Sequence, residues 1–250
     1  MHHTHGSKNK TFVLEGNIGA GKSTFLDIVR KNLDIDVILE PTDKWQKIGA
    51  SGNLLELFYN DTPRWAYTFQ SYAFVSRVQA LYERELHSTS GTMHLLERSV
   101  YCDRYCFAKG AYELGNLTTL EWQIYKEWFN WLVERYTTKP AGFVYLRVSP
   151  DICLKRLTKR SRSEESEIAI AYLELLHRKH EDWLINKKEI SDFIKDVPVL
   201  VMDCNKDFEQ DKNEQEKLLL ALEKFVGDCK ARPLAAMHKK IGTATHEQQF

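Results

Sequence analysis

Five short runs of apolar and β-branched residues recur along the chain: TFVLE (11–15), DVILE (36–40), MHLLE (93–97), FVYLRV (143–148) and VPVLVMD (197–203). Between them the apolar positions fall three and four residues apart, most clearly in RWAYTFQSYAFVSRVQALYERELH (64–87) and TLEWQIYKEWFNWLVERY (119–136). The short runs predict strands, and the spaced segments predict helices that pack against something. Strands alternating with helices predict an α/β fold with a parallel sheet covered on both faces. Trp65, Phe74 and Trp128 are expected in the core of that packing. No internal repeat, linker or low-complexity block breaks the pattern, so one domain is expected over residues 11–226. The polar, histidine-rich stretch 1–10 is expected to be a disordered tail or tag remnant, and the hydrophilic stretch 227–250 a disordered C-terminal tail.

In a parallel sheet every strand points the same way, and ligands bind beyond the carboxyl ends. Four of the five runs finish on an acid: Glu15, Glu40, Glu97 and Asp203. Strand ends are often polar because they meet solvent, so one such acid means little. Glu40 and Glu97 stand out because loop 16–23 opens the same edge. That loop reads Gly16, Asn17, Ile18, Gly19, Ala20, Gly21, Lys22, Ser23, and it fits G-x-x-x-x-G-K-[ST] between a predicted strand and a predicted helix. Glycines let backbone N–H groups turn inward around phosphate oxygens, and the following helix adds its positive end. Lys22 then reaches the outer phosphates and the Ser23 hydroxyl ligates magnesium, with Thr24 next in line. The loop predicts a bound nucleoside triphosphate. It does not separate a kinase from a GTPase, a motor or a switch. NKDF (205–208) lacks the final acid of a guanine-specifying N-K-x-D, and no strand ends in the usual ATPase Asp-Glu pair.

Composition narrows the partners. Lysine plus arginine and aspartate plus glutamate number 35 each, which argues against a general nucleic-acid binder with a basic face. No apolar run approaches the ~20 residues that cross a bilayer, so a soluble protein without a membrane partner is expected. The five cysteines form no C-x-x-C pair, which suits free thiols in a reducing, cytoplasmic setting. Cys102 and Cys106 lie one helical turn apart, but two further ligands at matching spacing are missing, so no metal is expected there. His177 and His180 in YLELLHRKHEDWL are expected to be structural.

Together GNIGAGKST, the EP at 40–41 followed by Trp45, RWAYTFQSYAFVSR, LLERSVYCDRYCFA, KRLTKRSRSEE and YLELLHRKHEDWL resemble the deoxynucleoside kinase family, in its deoxycytidine/deoxyguanosine branch. The resemblance runs in order from about residue 11 to 226. It implies a P-loop kinase fold: a five-stranded parallel sheet flanked by helices, with an arginine-rich lid. It implies transfer of the γ-phosphate of ATP or UTP, with Mg²⁺, to the 5′-hydroxyl of a deoxyribonucleoside in nucleotide salvage. Glu40 matches the general base, Arg98 the arginine contacting it and the reacting oxygens, and Glu97 the carboxylate of the magnesium shell. Arg160 and Arg162 match lid arginines over the triphosphate, and Arg156 one near the donor base.

On the acceptor side, Gln70 and Asp103 match residues that hydrogen-bond the base, and Arg77 pairs with that aspartate. Trp45, Phe69 and Phe107 match the walls of the base slot, while Tyr59 and Glu165 match the pair that binds the 3′-hydroxyl. The seven-residue step from Gln70 to Arg77 places both on one helix face. Thymidine-accepting relatives tend to carry smaller or apolar residues at the Arg77 and Asp103 positions, so deoxycytidine, deoxyadenosine or deoxyguanosine is expected as acceptor rather than thymidine. A homodimer is expected, with helix 119–136 in its interface. Gly19 departs from the alanine of the mammalian deoxycytidine and deoxyguanosine enzymes. A thymidylate-kinase-like monophosphate kinase and a non-catalytic nucleotide-binding subunit are the competing readings.

Overall fold

β1 (Lys10–Gly16), β2 (Asp36–Ile38), β3 (Met93–Glu97), β4 (Gly142–Arg147) and β5 (Val199–Asp203) form one sheet in the order β2-β3-β1-β4-β5, with every neighbouring pair parallel. The computed structural model describes residues 9–50, 52–89, 91–160, 162–165 and 168–231. The expected tails fall outside these residues except for 9–10 and 227–231.

The central strands are near-continuous apolar runs because both faces are covered. Phe12, Val13 and Leu14 of β1 and Phe143, Val144, Tyr145 and Leu146 of β4 are all buried. The register pairs Leu14 with Glu97 and Gly16 with Leu146, so the carboxyl ends of β1, β3 and β4 meet at one edge. β2 stops at Ile38, two residues before the expected end. Beyond it, the Glu40 backbone N–H donates to the Glu97 side chain at 3.4 Å rather than to a neighbouring strand, and Pro41 follows. Glu40 therefore sits on the loop that leaves the sheet.

The helices are α1 (Lys22–Asn32), α2 (Thr42–Gln46), α3 (Leu54–Asn60), α4 (Thr62–His87), α5 (Val100–Cys102), α6 (Lys109–Glu113), α7 (Thr119–Tyr136), α8 (Pro150–Arg160), α9 (Ile170–His180), α10 (Asp192–Lys195) and α11 (Lys212–Ala231). A π-helical segment (Asp103–Ala108) joins α5 to α6, and another (Glu181–Ile185) continues α9. α11 runs to Ala231, so residues 227–231 continue a helix.

Local chemistry sets several helix ends. The Asp61 side chain accepts from Arg64 N–H ahead of α4, with Pro63 in the first turn, and Thr118 and Glu121 form a reciprocal capping box on α7. α1 differs: Gly21 at φ 90° precedes it and no side chain caps it, which leaves its first N–H groups turned toward the sheet edge. α4 presents Phe69, Ala73, Phe74 and Val78 inward, with Phe74 tilted against Tyr125 and Phe129 of α7. The expectation that Trp128 joins this core is corrected. The inner face of α7 is taken by Trp122, Tyr125, Phe129 and Val133 at three- and four-residue steps, and Trp128 falls on the opposite side, 52% exposed. Trp65 is half-buried against the core with the Arg64 guanidinium over its ring.

Candidate active site

The phosphate loop turns where only glycine fits. Gly19 has φ 77°, and a Cβ there would lie 2.5 Å from the Cys153 carbonyl oxygen; Gly21 has φ 90°, and its Cβ would meet the Phe208 ring at 2.8 Å. Asn17 anchors the loop from below, its Nδ2 donating to Leu173 O at 2.8 Å while its Oδ1 accepts from Ile18 N at 2.9 Å. Lys22 folds back over the loop and donates from Nζ to Gly16 O at 3.3 Å and Asn17 O at 2.9 Å. Burial, with Arg98 nearby, lowers its pKa to about 8 although Glu40 and Glu97 oppose the shift. The Ser23 hydroxyl donates to Glu97 Oε1 at 3.0 Å. A serine hydroxyl and a buried carboxylate are hard oxygen donors beside a phosphate cradle, which suits Mg²⁺.

Arg98 is a non-glycine residue at φ 62° and is almost fully buried. Such a conformation is uncommon and persists where surroundings enforce it. Here its N–H bonds Leu14 O at 2.9 Å, and the next residue, Ser99, is held by the buried Glu15 carboxyl, which accepts from both its N–H and its hydroxyl. Burial pushes the Glu15 carboxyl well above the usual carboxylate range, and its two hydrogen bonds from Ser99 make it a structural clasp. The turn sends the Arg98 side chain toward Glu40, with Nε 3.3 Å from Oε1, and places its guanidinium 4.7 Å from the Phe107 ring centre.

Arg77 holds two carboxylates at once. Its Nε is 2.8 Å from Asp103 Oδ2, and its Nη2 donates to Glu40. Burial works against ionisation of Glu40, but the charges of Arg77, Arg98 and Lys22 prevail and hold its pKa at about 2. Asp103 is buried more completely; desolvation, aided by Glu40, pushes it up to about 6 against the pull of Arg77. Trp45 donates from Nε1 to Ser76 Oγ at 2.9 Å, meets Phe69 edge-on at 5.5 Å and lies under the Arg77 guanidinium at 4.9 Å. Gln70 is buried on the same face of α4, and its Nε2 has no partner among the described residues.

The lid segment is held by opposite charge. Arg160 and Arg162 both pair with the buried Glu165 carboxylate, the latter at 3.2 Å. Arg156 donates to the backbone oxygens of Ala20 at 3.1 Å, Cys204 at 2.9 Å and Lys206 at 3.0 Å, tying α8 to the loop after β5.

One cavity of about 790 Å³ collects these groups. Ile18, Gly19, Gly21, Lys22, Ser23, Thr24, Glu40, Trp45, Tyr59, Phe69, Gln70, Arg77, Glu97, Arg98, Asp103, Phe107, Arg156, Arg160, Arg162 and Glu165 all line it. Gly16, Asn17 and Ala20 complete the loop behind that lining. Sequence reasoning missed Phe58, stacked on Phe69 at 4.5 Å, and Tyr172 of α9. It also missed Lys155, Lys159, Asn205 and Phe208 at the other end. Phe208 was visible only as the residue that spoils N-K-x-D. Its ring lies 5.5 Å from the Arg156 guanidinium, beside the phosphate loop.

The cavity joins a phosphate cradle with cationic side chains to an aromatic slot floored by polar side chains. That is a place for a triphosphate donor facing a flat, hydrogen-bonding acceptor. The family model for deoxynucleoside kinase matches residues 12–227. The chain is similar to deoxycytidine kinase 2 of Gallus gallus, 43% identical over 235 residues that cover 85% of this chain and 89% of the relative. It is similar also to deoxycytidine kinase of Homo sapiens, 36% identical over 88% of this chain and 92% of the relative, and to mitochondrial deoxyguanosine kinase of Xenopus laevis, 37% identical over 87% and 89%. Fold, cavity and these similarities agree: the chain belongs to the deoxynucleoside kinase family and is a nucleoside kinase phosphotransferase.

Proposed function

We propose that this chain transfers the γ-phosphate of ATP or UTP to the 5′-hydroxyl of deoxycytidine, deoxyadenosine or deoxyguanosine in preference to thymidine, as a cytoplasmic homodimer. The buried Arg77–Asp103 pair on the floor of the acceptor slot carries the preference. A site built from buried hydrogen-bonding groups rejects a base that leaves them unpaired, by ~10⁴-fold or more in favourable cases. The relatives named deoxycytidine and deoxyguanosine kinase support the same choice.

Within the site the backbone of loop 16–21 and Lys22 take the donor phosphates, and Arg160 and Arg162 exchange Glu165 for the triphosphate oxygens. Ser23 and Glu97 would hold Mg²⁺, which when bound would offset charge on the phosphate oxygens. Trp45, Phe69 and Phe107 confine the base, Gln70 and Asp103 bond its edge, and Tyr59 with Glu165 takes the 3′-hydroxyl. Glu40, held ionised by Arg77 and Arg98, accepts the hydrogen bond of the attacking 5′-hydroxyl and receives its proton as the new P–O bond forms, the bond from the γ-phosphorus to the β-phosphate oxygen breaks and the nucleoside diphosphate leaves. At a pKa of about 2 it is a weak base, and the loose transition state of phosphoryl transfer asks mainly for alignment. The dimer reading is supported by Leu120, Trp128 and Trp131, which stand 70%, 52% and 48% exposed on α7.

The deciding experiment is a coupled assay of ADP release with ATP and magnesium, presenting deoxycytidine, deoxyadenosine, deoxyguanosine, thymidine and deoxycytidine monophosphate separately. Turnover on the first three, lost in Glu40→Gln, is expected. Preferred turnover of thymidine removes the proposed role of Arg77 and Asp103, and turnover on the monophosphate alone moves the acceptor site.

A further inference from the structure

We propose that Cys102, Cys106 and His180 form a three-donor site for one thiophilic divalent cation of the zinc class, set behind the wall of the kinase cavity. Cys102 ends α5 and Cys106 lies four residues on, in the π-helical segment, so the two sulfurs share a helix face. α9 supplies the third donor from its last residue, 74 positions after Cys106 in the sequence. The two sulfurs and an imidazole nitrogen lie within 4.8 Å of one another, and all three residues are 0% exposed. One of the two ligands that spacing alone cannot find is thus delivered by the fold.

The geometry goes beyond proximity. Cys102 Sγ is 3.4 Å from His180 Nε2. Sulfur at ~2.3 Å and nitrogen at ~2.0–2.1 Å on a tetrahedral zinc ion stand roughly 3.6 Å apart, so this pair is already near bridging distance. His180 Nδ1 is 2.7 Å from Leu176 O, which makes Nδ1 the protonated nitrogen and leaves the Nε2 lone pair facing the sulfur. An imidazole fixed through its far nitrogen by a carbonyl is the usual support of a metal-bound histidine. The Tyr145 ring, stacked at 5.8 Å and nearly parallel, holds the same orientation from the side.

The surrounding charge suits thiolates. Arg98 Nη1 lies 3.1 Å from Cys102 Sγ. Loading breaks two S–H bonds, forms two sulfur–metal bonds and releases two protons, while His180 contributes its lone pair unchanged. Two thiolates and one dication sum to zero, the cheapest charge to bury. The fourth position falls to a water or a small thiol.

The test uses the full chain, expressed with added zinc and purified with a phosphine reductant. Bound zinc is counted by mass spectrometry, and the metal-stripped chain is titrated with cobalt(II). About one zinc per chain and a near-ultraviolet thiolate-to-cobalt charge-transfer band are expected. Both should fall at least tenfold in Cys106→Ala and in His180→Gln, with folding checked by thermal melts. The band excludes metal held by the histidines at positions 2, 3 and 5, which have no sulfur. A parent chain with no band overturns the proposal without recourse to any variant, and so does a band that persists in either folded variant.

Discussion

Arg77 Nε lies 2.8 Å from the Asp103 carboxylate, and the other end of the same guanidinium reaches Glu40. One side chain of α4 thereby joins Asp103, on the floor of the cavity, to Glu40, the carboxylate proposed to receive the proton of the attacking hydroxyl. Removing it alone leaves the buried Asp103 carboxylate without its ion-pair partner, a change of about 3–5 kcal/mol for a broken buried pair, while Glu40 keeps Arg98. Arg77→Met should lose that much stability in urea melts. Arg77→Met with Asp103→Ala should recover part of it and raise kcat/KM for thymidine at least ~10-fold over the parent. Thymidine turnover as poor as the parent's would refute the assignment of base choice to this pair.

Glu40→Gln keeps size and removes charge. kcat should fall by ~10²–10⁴ while ATP affinity changes little. Glu40 is depressed in the fold, so its contribution to stability is present above its unfolded pKa and is lost as pH falls through about 2. The kcat profile of the parent should accordingly show no acid limb from Glu40 near neutrality. A limb near neutrality that vanishes in Glu40→Gln would contradict this.

Lys22 carries the alkaline side. Its pKa is lowered to about 8, chiefly by burial, so the free protein loses this positive charge above that pH. ATP binding, followed by calorimetry, should be level below about pH 8 and weaken toward ~10-fold per unit above it, and Lys22→Arg should flatten the profile. A Kd independent of pH up to ~9.5 in the parent would show that Lys22 keeps its charge in the free loop.

Gly19→Ala tests the loop. Its φ of 77° and a Cβ placed 2.5 Å from the Cys153 carbonyl oxygen predict a loss of ~1–2 kcal/mol from the left-handed backbone alone, and a higher KM for ATP. Unchanged melting temperature and KM would mean that the loop relaxes away from Cys153.

Trp128→Asp with Trp131→Asp places charges on the exposed face of α7. Light scattering after gel filtration should show the parent as a dimer and the variant as a monomer, with the helix content of the two equal. A parent that elutes as a monomer would leave this face without the proposed partner.

Local pattern was enough for the strand and helix succession, because each buried strand of a parallel sheet is a continuous apolar run and each packed helix repeats every three to four residues. It was enough also for loop 16–23, whose glycines, lysine and serine act within a few residues of one another. The π-helical turn that carries Asp103 and Phe107 was not legible, since a one-residue change in helix winding leaves the apolar spacing almost unaltered. Nor was the strained turn at Arg98, which depends on Glu15 from another strand.

What the chain's own pattern determined was therefore the α/β architecture, the phosphate cradle and, through motif resemblance, the set of residues around it. Tertiary structure alone decided that Arg77 bridges Glu40 and Asp103, that Trp128 faces outward, that Phe208 closes the phosphate end, and that His180 meets Cys102 and Cys106. The physical reason is range. Propensity and hydrophobic period act over one or two turns, whereas ion pairs, ring contacts and ligand sets join side chains dozens of residues apart, and only packing brings them within bonding distance.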